Sequence, residues 1–200
     1  MEVGEALARR RTCRSFLDSP VPGDLLDEVL RAAASAPRAG NAWALALLVL
    51  EGPDRDAYWE VTLPAGGTRD RFPWPGMLRA PVLVVPYVDP GAYVERYSKS
   101  DKASTGLGAG VEAWPVPYWW VDAGAAVMAV LTAATSSGLG SALFGQFDHE
   151  PAVRHRFGVP ANLRAIGTVA LGWPDPQDRP SRSGLSGRPP SDRLVHRGRW

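Results

Sequence analysis

Short apolar runs that read as strands, spaced between segments of helical periodicity, predict one domain of mixed α and β structure. Three observations carry this. A chain of 200 residues at 45% hydrophobic content suffices for one core, whereas halving it would leave each part poorly buried. Residues 45–50, 82–88 and 165–171 are brief apolar stretches bounded by turn signals. Residues 24–36 and 122–137 repeat their apolar side chains at helical spacing.

Taken in order, residues 2–11 form a short helix ending in charge, and Pro20-Val21-Pro22-Gly23 is an extended turn. Asp24 is the expected N-cap of a helix whose Leu25, Leu26, Val29, Leu30 and Ala33 share a face, and Pro37 stops it near Ala36. Residues 45–50 end at Glu51-Gly52-Pro53 and suit a strand covered on both faces. Residues 82–88 are similar, but Pro86 cannot donate a ladder hydrogen bond, which predicts an edge or a bulge at that end. Residues 97–117 are polar and glycine-rich, with Gly106, Gly108 and Gly110 close together, and read as a mobile loop or lid. The next helix spans 122–137, with Asp122 as N-cap and Gly138 just past its end. It is apolar nearly all round, so it belongs at the centre, and its alanines permit close contact with a second subunit. Asp148 caps a further helix that stops near Gly158, and residues 165–171 form another strand. Residues 174–190, rich in proline, serine, glycine and arginine, read alone as disordered, yet the chain closes on Leu194, Val195 and Trp200. Those apolar groups need a docking place, so residues 174–200 are expected to be an arm that wraps a partner subunit.

The charges nearly cancel, at +1, which leaves no global field for nucleic acid or an anionic membrane. The longest apolar stretches fall short of the roughly 20 residues that cross a bilayer. The single cysteine, Cys13, excludes an intrachain disulfide, and the opening residues lack the apolar core of a signal peptide, so a cytoplasmic protein is expected. His149, His155 and His196 have no metal-ligand spacing. Gly106-Leu107-Gly108-Ala109-Gly110 follows no strand and lacks the third glycine of a dinucleotide loop. With neither a nucleophile elbow nor a phosphate-binding P-loop, hydrolase and ATPase readings fall away.

Arg9, Arg10, Arg11 and Arg14 crowd together around Thr12 and Cys13. Guanidiniums repel one another, and a phosphate would relieve that repulsion through bidentate hydrogen bonds, with Thr12 adding a hydroxyl donor. A solvated basic helix end, favoured by the negative end of the helix dipole, has the same composition. Cys13 is either a buried small apolar group or a thiol activated by its neighbours. The aromatics of Trp114-Pro115-Val116-Pro117-Tyr118-Trp119-Trp120 are mostly core, with one or two suited to stack on a flat ring.

Several of these stretches also carry a resemblance. Arg10-Arg11-Thr12-Cys13-Arg14-Ser15-Phe16, then Pro20-Val21-Pro22 and a leucine-rich helix ending Ala33-Ala34-Ser35-Ala36-Pro37-Arg38-Ala39-Gly40-Asn41, resembles the opening of the FMN-dependent nitroreductase family. Asp122-Ala123-Gly124, leading to Gly138-Leu139-Gly140-Ser141 and Phe144-Gly145-Gln146-Phe147-Asp148, is similar to that family's central helix and flavin loop. Val195-His196-Arg197-Gly198-Arg199-Trp200 resembles its C-terminal end. The motifs occur in the family's order, at both ends and the centre.

The resemblance implies an α+β fold, a mostly antiparallel sheet flanked by helices, in an intertwined homodimer with a swapped C-terminal arm. It implies FMN as cofactor, NADH or NADPH as electron donor, and a small aromatic or quinone-like acceptor in a two-half-reaction cycle. Arg10, Thr12 and Arg199 would hold the phosphate and ribityl chain, Arg11 and Arg197 would also bind the cofactor, and Arg14 would reach the N1 edge of the ring. Pro37, Arg38, Ala39 and Asn41 would come from the second subunit, while Gly145 would offer its N–H near N5 with Gln146 beside it. The chemistry lies at flavin N5, supported by Arg14 and Gly145, so no side-chain nucleophile is expected. Three positions depart from the family pattern: Trp43 replaces a polar flavin neighbour, Gln146 a frequent second glycine, and Thr12 a frequent serine. A flavin- or deazaflavin-binding protein with little turnover, or a different redox reaction such as dehydrogenation, dehalogenation or flavin cleavage, are the alternatives.

Overall fold

The computed structural model describes residues 1–179, 190 and 193–200. Its centre is β2 (Val82–Val88), in which every residue is buried. Side chains alternate across a strand, so Val82 and Val84 join one core cluster while Leu83, Val85 and Tyr87 join another. On the first face lie α2 (Gly23–Arg31) and α6 (Tyr118–Ser136), which contribute Leu26, Val29, Ala126, Val127, Val130 and Leu131. On the other lie α3 (Gly52–Thr62) and α7 (Glu150–Arg156), with Tyr58, Trp59 and Val153. Each fully buried Val or Leu contributes about 1.5–3 kcal/mol, and the sheet collects such groups on both sides.

The sheet is antiparallel throughout its ladders, in the order β1-β2-β5-β3, with β1 (Leu45–Glu51), β3 (Gly140–Phe144) and β5 (Thr168–Gly172); β4 (Arg164–Ala165) also pairs with β2. This is the α+β architecture expected. The other α-helices among the described residues are α1 (Val3–Arg9), α4 (Gly67–Asp70) and α5 (Pro90–Tyr97).

Several local expectations need correction. Within this chain β1 is an edge strand with only Leu50 buried, not a strand covered on both faces. Pro86, expected at an edge or a bulge, lies in an interior strand, and the bulge reading is the right one. Between the pairs Val84–Val169 and Tyr87–Ala165, β2 has two residues and the opposing chain three. Gly167, at φ +139°, makes that extra step. None of the expected N-caps holds. The cap positions are Pro22, Pro117 and His149, and none makes a side-chain cap bond. Asp24 accepts only from the adjacent Leu25 N–H, and Asp122 is buried a turn inside α6. The C-terminal signal of α6 is correct: Gly138, at φ +79°, follows the cap, and Leu139 N–H donates to the Ala134 carbonyl at 2.8 Å.

Residues 97–117 carry three short 3-10 turns, Ala103–Thr105, Leu107–Ala109 and Val111–Ala113, closed onto the body by buried Trp114. Of the expected arm, residues 180–189, 191 and 192 lie outside the described residues. Residues 193–200 are exposed, with His196 stacked on Trp200 at 4.2 Å. No described helix is long and apolar enough to cross a membrane.

Candidate functional site

The arginine segment is sewn to the free edge of β3. Thr12 forms a parallel bridge with Ser141, and Cys13 N–H donates to the Ser141 carbonyl at 2.9 Å. Because the pairing is parallel, the step from Thr12 to Arg14 runs the same way as that from Ser141 to Gly145. The following residues are tied to the exit of β5: Leu17 N–H donates to the Trp173 carbonyl, and Asp175 N–H to the Ser15 carbonyl. Arg79 completes the knot, donating to the Phe16 carbonyl at 2.9 Å and to Asp175 Oδ2 at 2.7 Å. The Gln177 N–H, the Ser15 hydroxyl and Arg79 hold the Asp175 carboxyl below the usual carboxylate range.

The four arginines do not behave alike. Arg9 pairs with Glu5 and Arg11 with Asp178, whose carboxylate also accepts from the Arg14 N–H. Arg10 and Arg14 have no carboxylate partner for their guanidiniums among the described residues; Arg14 lies over Trp74, 5.2 Å from the ring centroid. Cys13 is buried, which pushes its thiol up to about 11. Its burial favours the small apolar packing group over the activated thiol.

At the end of β3, Phe144 stacks on Trp59 of α3 at 5.7 Å, which anchors the turn that follows. Gly145 is exposed, and a Cβ there would meet the Phe147 ring at 2.6 Å. Phe147 itself is 86% exposed at φ +46°, an outlier for a bulky residue. Gln146 turns inward: its Nε2 donates to Thr168 Oγ1 at 3.1 Å, and Tyr58 shares that oxygen at 2.7 Å. Burial pushes the Tyr58 hydroxyl up to about 12. Gln146 Oε1 is buried without a hydrogen-bond partner among the described residues.

The third group sits on the loop before β1. Ala39 N–H donates to Asp122 Oδ2 at 2.7 Å, and Tyr93 OH donates to the same oxygen at 2.8 Å. Burial, then the Asp122 carboxylate, raises the Tyr93 hydroxyl above the ordinary tyrosine range. Gly40 and Asn41 are both left-handed, at φ +61° and +58°, and Arg96 Nε donates to the Gly40 carbonyl at 2.7 Å. Pro37 and Asn41 are exposed, and Arg38 lies 3.7 Å over the Trp43 ring, itself 68% exposed.

The chain thus brings Arg10, Thr12, Arg14, Gly145 and Gln146 to one edge of the sheet, and Pro37, Arg38, Ala39 and Asn41 to the other. Three strand spacings, about 14 Å at 4.7–4.9 Å each, separate β1 from β3. Arg197 and Arg199 lie in the exposed terminal segment, and the described contacts place them with neither group. The sequence reading did not single out Tyr58, Thr168 or Asp122 as supports of these loops. Only Asp122 left a signal, as an acid in an otherwise apolar stretch.

An antiparallel sheet between helical layers, with a basic segment on one edge and an exposed glycine turn beside it, defines an α+β protein. The chain belongs to the nitroreductase family, whose family model matches residues 7–173. It is similar to a 4-nitrobenzoate reductase of Nocardioides, 28% identical over 98% of this chain and 90% of the relative. An NADH dehydrogenase of Thermus thermophilus is 27% identical over 98% and 95%. A crystal structure of a nitroreductase with bound FMN from Bacteroides fragilis superposes with a TM-score of 0.66, at 21% identity, covering 91% of this chain and 93% of that one. The chain is therefore an oxidoreductase by family.

Proposed function

We propose that this chain works as a homodimer that binds FMN between subunits, takes electrons from NADH or NADPH and passes them to a nitroaromatic or quinone acceptor in the cytoplasm. The observation that carries the reading is the separation of the two residue groups to opposite edges of one sheet. No single chain closes that site, and a second copy supplies the missing half. The residues suit the group. Arg10 and Arg14 lack carboxylate partners among the described residues, and Gly145 is exposed beside them at the end of β3. The relatives' names, a 4-nitrobenzoate reductase and an NADH dehydrogenase, support the acceptor and donor, and the FMN-bound nitroreductase supports the cofactor.

When bound, FMN supplies the hydride and electron chemistry. The chain's part is to bind and orient. Arg10, Thr12 and Arg199 would hold the phosphate and ribityl chain, with Arg197 and Arg11, itself paired with Asp178, also at the cofactor. Arg14 would place positive charge near the ring, and the Gly145 N–H would be the donor offered to it. Pro37, Arg38, Ala39 and Asn41 of the second copy line the ring and shield it from water. The test is spectroscopic: FMN-loaded protein should bleach under anaerobic NADH or NADPH and recover its absorbance when a quinone is added. Protein that binds FMN yet never bleaches with either donor sinks the enzymatic reading. One observation favours a second reading, a flavin- or deazaflavin-binding protein with little turnover: the Phe147 ring lies over Gly145, where acceptors would approach.

A further inference from the structure

Beside the loop that ends at Asn41, a cavity of about 550 Å³ is lined by Ala39, Tyr97, Lys102, Leu107, Trp114 and Tyr118, among others. Its walls are aromatic and fixed. Trp114 packs edge-on against Tyr97 at 4.7 Å, and its Nε1–H donates to the Leu107 carbonyl at 3.0 Å. Gly108 lies so close to α5 that a Cβ would stand 2.6 Å from the Ser98 backbone. Into this cavity the chain puts one cation. Lys102 is half-buried, its ammonium 5.8 Å from the Tyr97 ring centroid, and it has no carboxylate partner among the described residues. Its neighbours are already engaged: Asp101 is taken by Arg96, and Glu95 by Lys99. Thr105 Oγ1 donates to the Lys102 carbonyl at 2.8 Å, which fixes the backbone that carries the ammonium.

We propose that this cavity is a binding site for planar aromatic carboxylates, whose ring stacks among Tyr97, Trp114 and Tyr118 and whose carboxylate pairs with Lys102. The chemistry selects that class. A neutral ring would leave a half-buried ammonium without a counter-ion, and an aliphatic acid would forgo the aromatic walls. A fixed pocket loses little entropy on binding, so a ligand of one or two rings suffices. The cavity borders Ala39, so under the function proposed above these compounds are the acceptors that the site prefers; the inference rests on that reading only for this last step.

Binding is tested without turnover. Benzoate and 2-naphthoate, neither of them reducible here, are titrated into the purified protein by calorimetry, with benzamide and 2-naphthamide as neutral counterparts. The carboxylates should bind more tightly than the amides. Lys102→Met should weaken carboxylate binding about tenfold or more, the worth of a hydrogen bond to a charged group, and Lys102→Arg should restore most of it. Equal affinity for acids and amides, or a carboxylate affinity that Lys102→Met leaves intact, overturns the proposal. Near-UV dichroism of the variant confirms that its aromatic walls remain packed. Anaerobic bleaching by NADH or NADPH is followed separately on the unaltered protein: carboxylate binding without bleaching removes the proposed redox function and leaves the cavity's ligand class standing.

Discussion

Thr168 has no exposed surface and one hydroxyl, and that oxygen serves both Tyr58 and Gln146. Exchanging it for valine keeps the shape but strips two buried groups of their partner, and an unsatisfied buried polar group costs about 1–3 kcal/mol. Thr168→Val should lower the urea midpoint by that order and loosen the turn at Gly145, because Gln146 is the residue that pins it. A midpoint within error of the parent would show that the hydroxyl contributes nothing net. At this scale the sequence was informative about charge and poor about support. The mutual repulsion of Arg9, Arg10, Arg11 and Arg14 could be read from their crowding alone. The Tyr58–Thr168–Gln146 set could not, because its members are 88 or more positions apart except for the last pair, and only the sheet brings them together.

Elements were legible where a long apolar pattern had to be buried and illegible where it did not. Strand β2 and helix α6 match their apolar runs, α6 beginning one turn earlier than its Asp122 signal because that acid is spent on Ala39 and Tyr93. Strand β3 went unread: Gly140, Ser141 and Ala142 are small residues with weak strand preference, held in place by pairing with β5. Helix α3 likewise opens Gly52-Pro53-Asp54 and reads as a turn until Tyr58 and Trp59 are seen to be buried. The edges that matter for the site depend on close packing between such elements. Gly76, in the turn Pro75–Arg79, would place a Cβ 2.7 Å from the Ser15 Cα, and its carbonyl accepts from the Phe16 N–H. Gly76→Ala must push the arginine segment off its seat, since neither backbone can yield freely. Overpacking of this kind costs about 1–3 kcal/mol, and FMN affinity should fall with the displaced Arg14. Chemical denaturation and a fluorescence titration with FMN would check both, and parent-like values in the two would show that the contact is soft.

The molecule as a whole should be most stable near neutrality, with separate groups setting each flank. Arg164 holds the Glu150 carboxyl below the usual range, so its contribution is present above the unfolded carboxylate pKa and is lost on acidification. Cys13, raised from 9.0 to about 11, and Tyr58 and Tyr87, each raised from 10.0 to about 12, act oppositely: the unfolded chain ionises first, so stability falls as pH rises beyond 9. Urea midpoints measured from pH 7 to 11 should decline earliest through Cys13, and Cys13→Ala should delay that onset; a flat profile to pH 11 rules out the account. The remaining question of scale is how many chains make one site. Along α6, Val121 and Met128 lie two turns apart, 51% and 38% exposed, with partly covered Ala125 between them and Thr132 a turn further on. Exposed apolar groups on one helix face mark an interaction surface, and the homodimer proposed above would use this one. Met128→Glu places a charge on that face without touching the chain's own core. It should yield monomers by native mass spectrometry, and FMN affinity should drop at protein concentrations where the parent is dimeric. If the variant stays dimeric and binds FMN as the parent does, α6 is not the contact and the two residue groups must meet by some other surface.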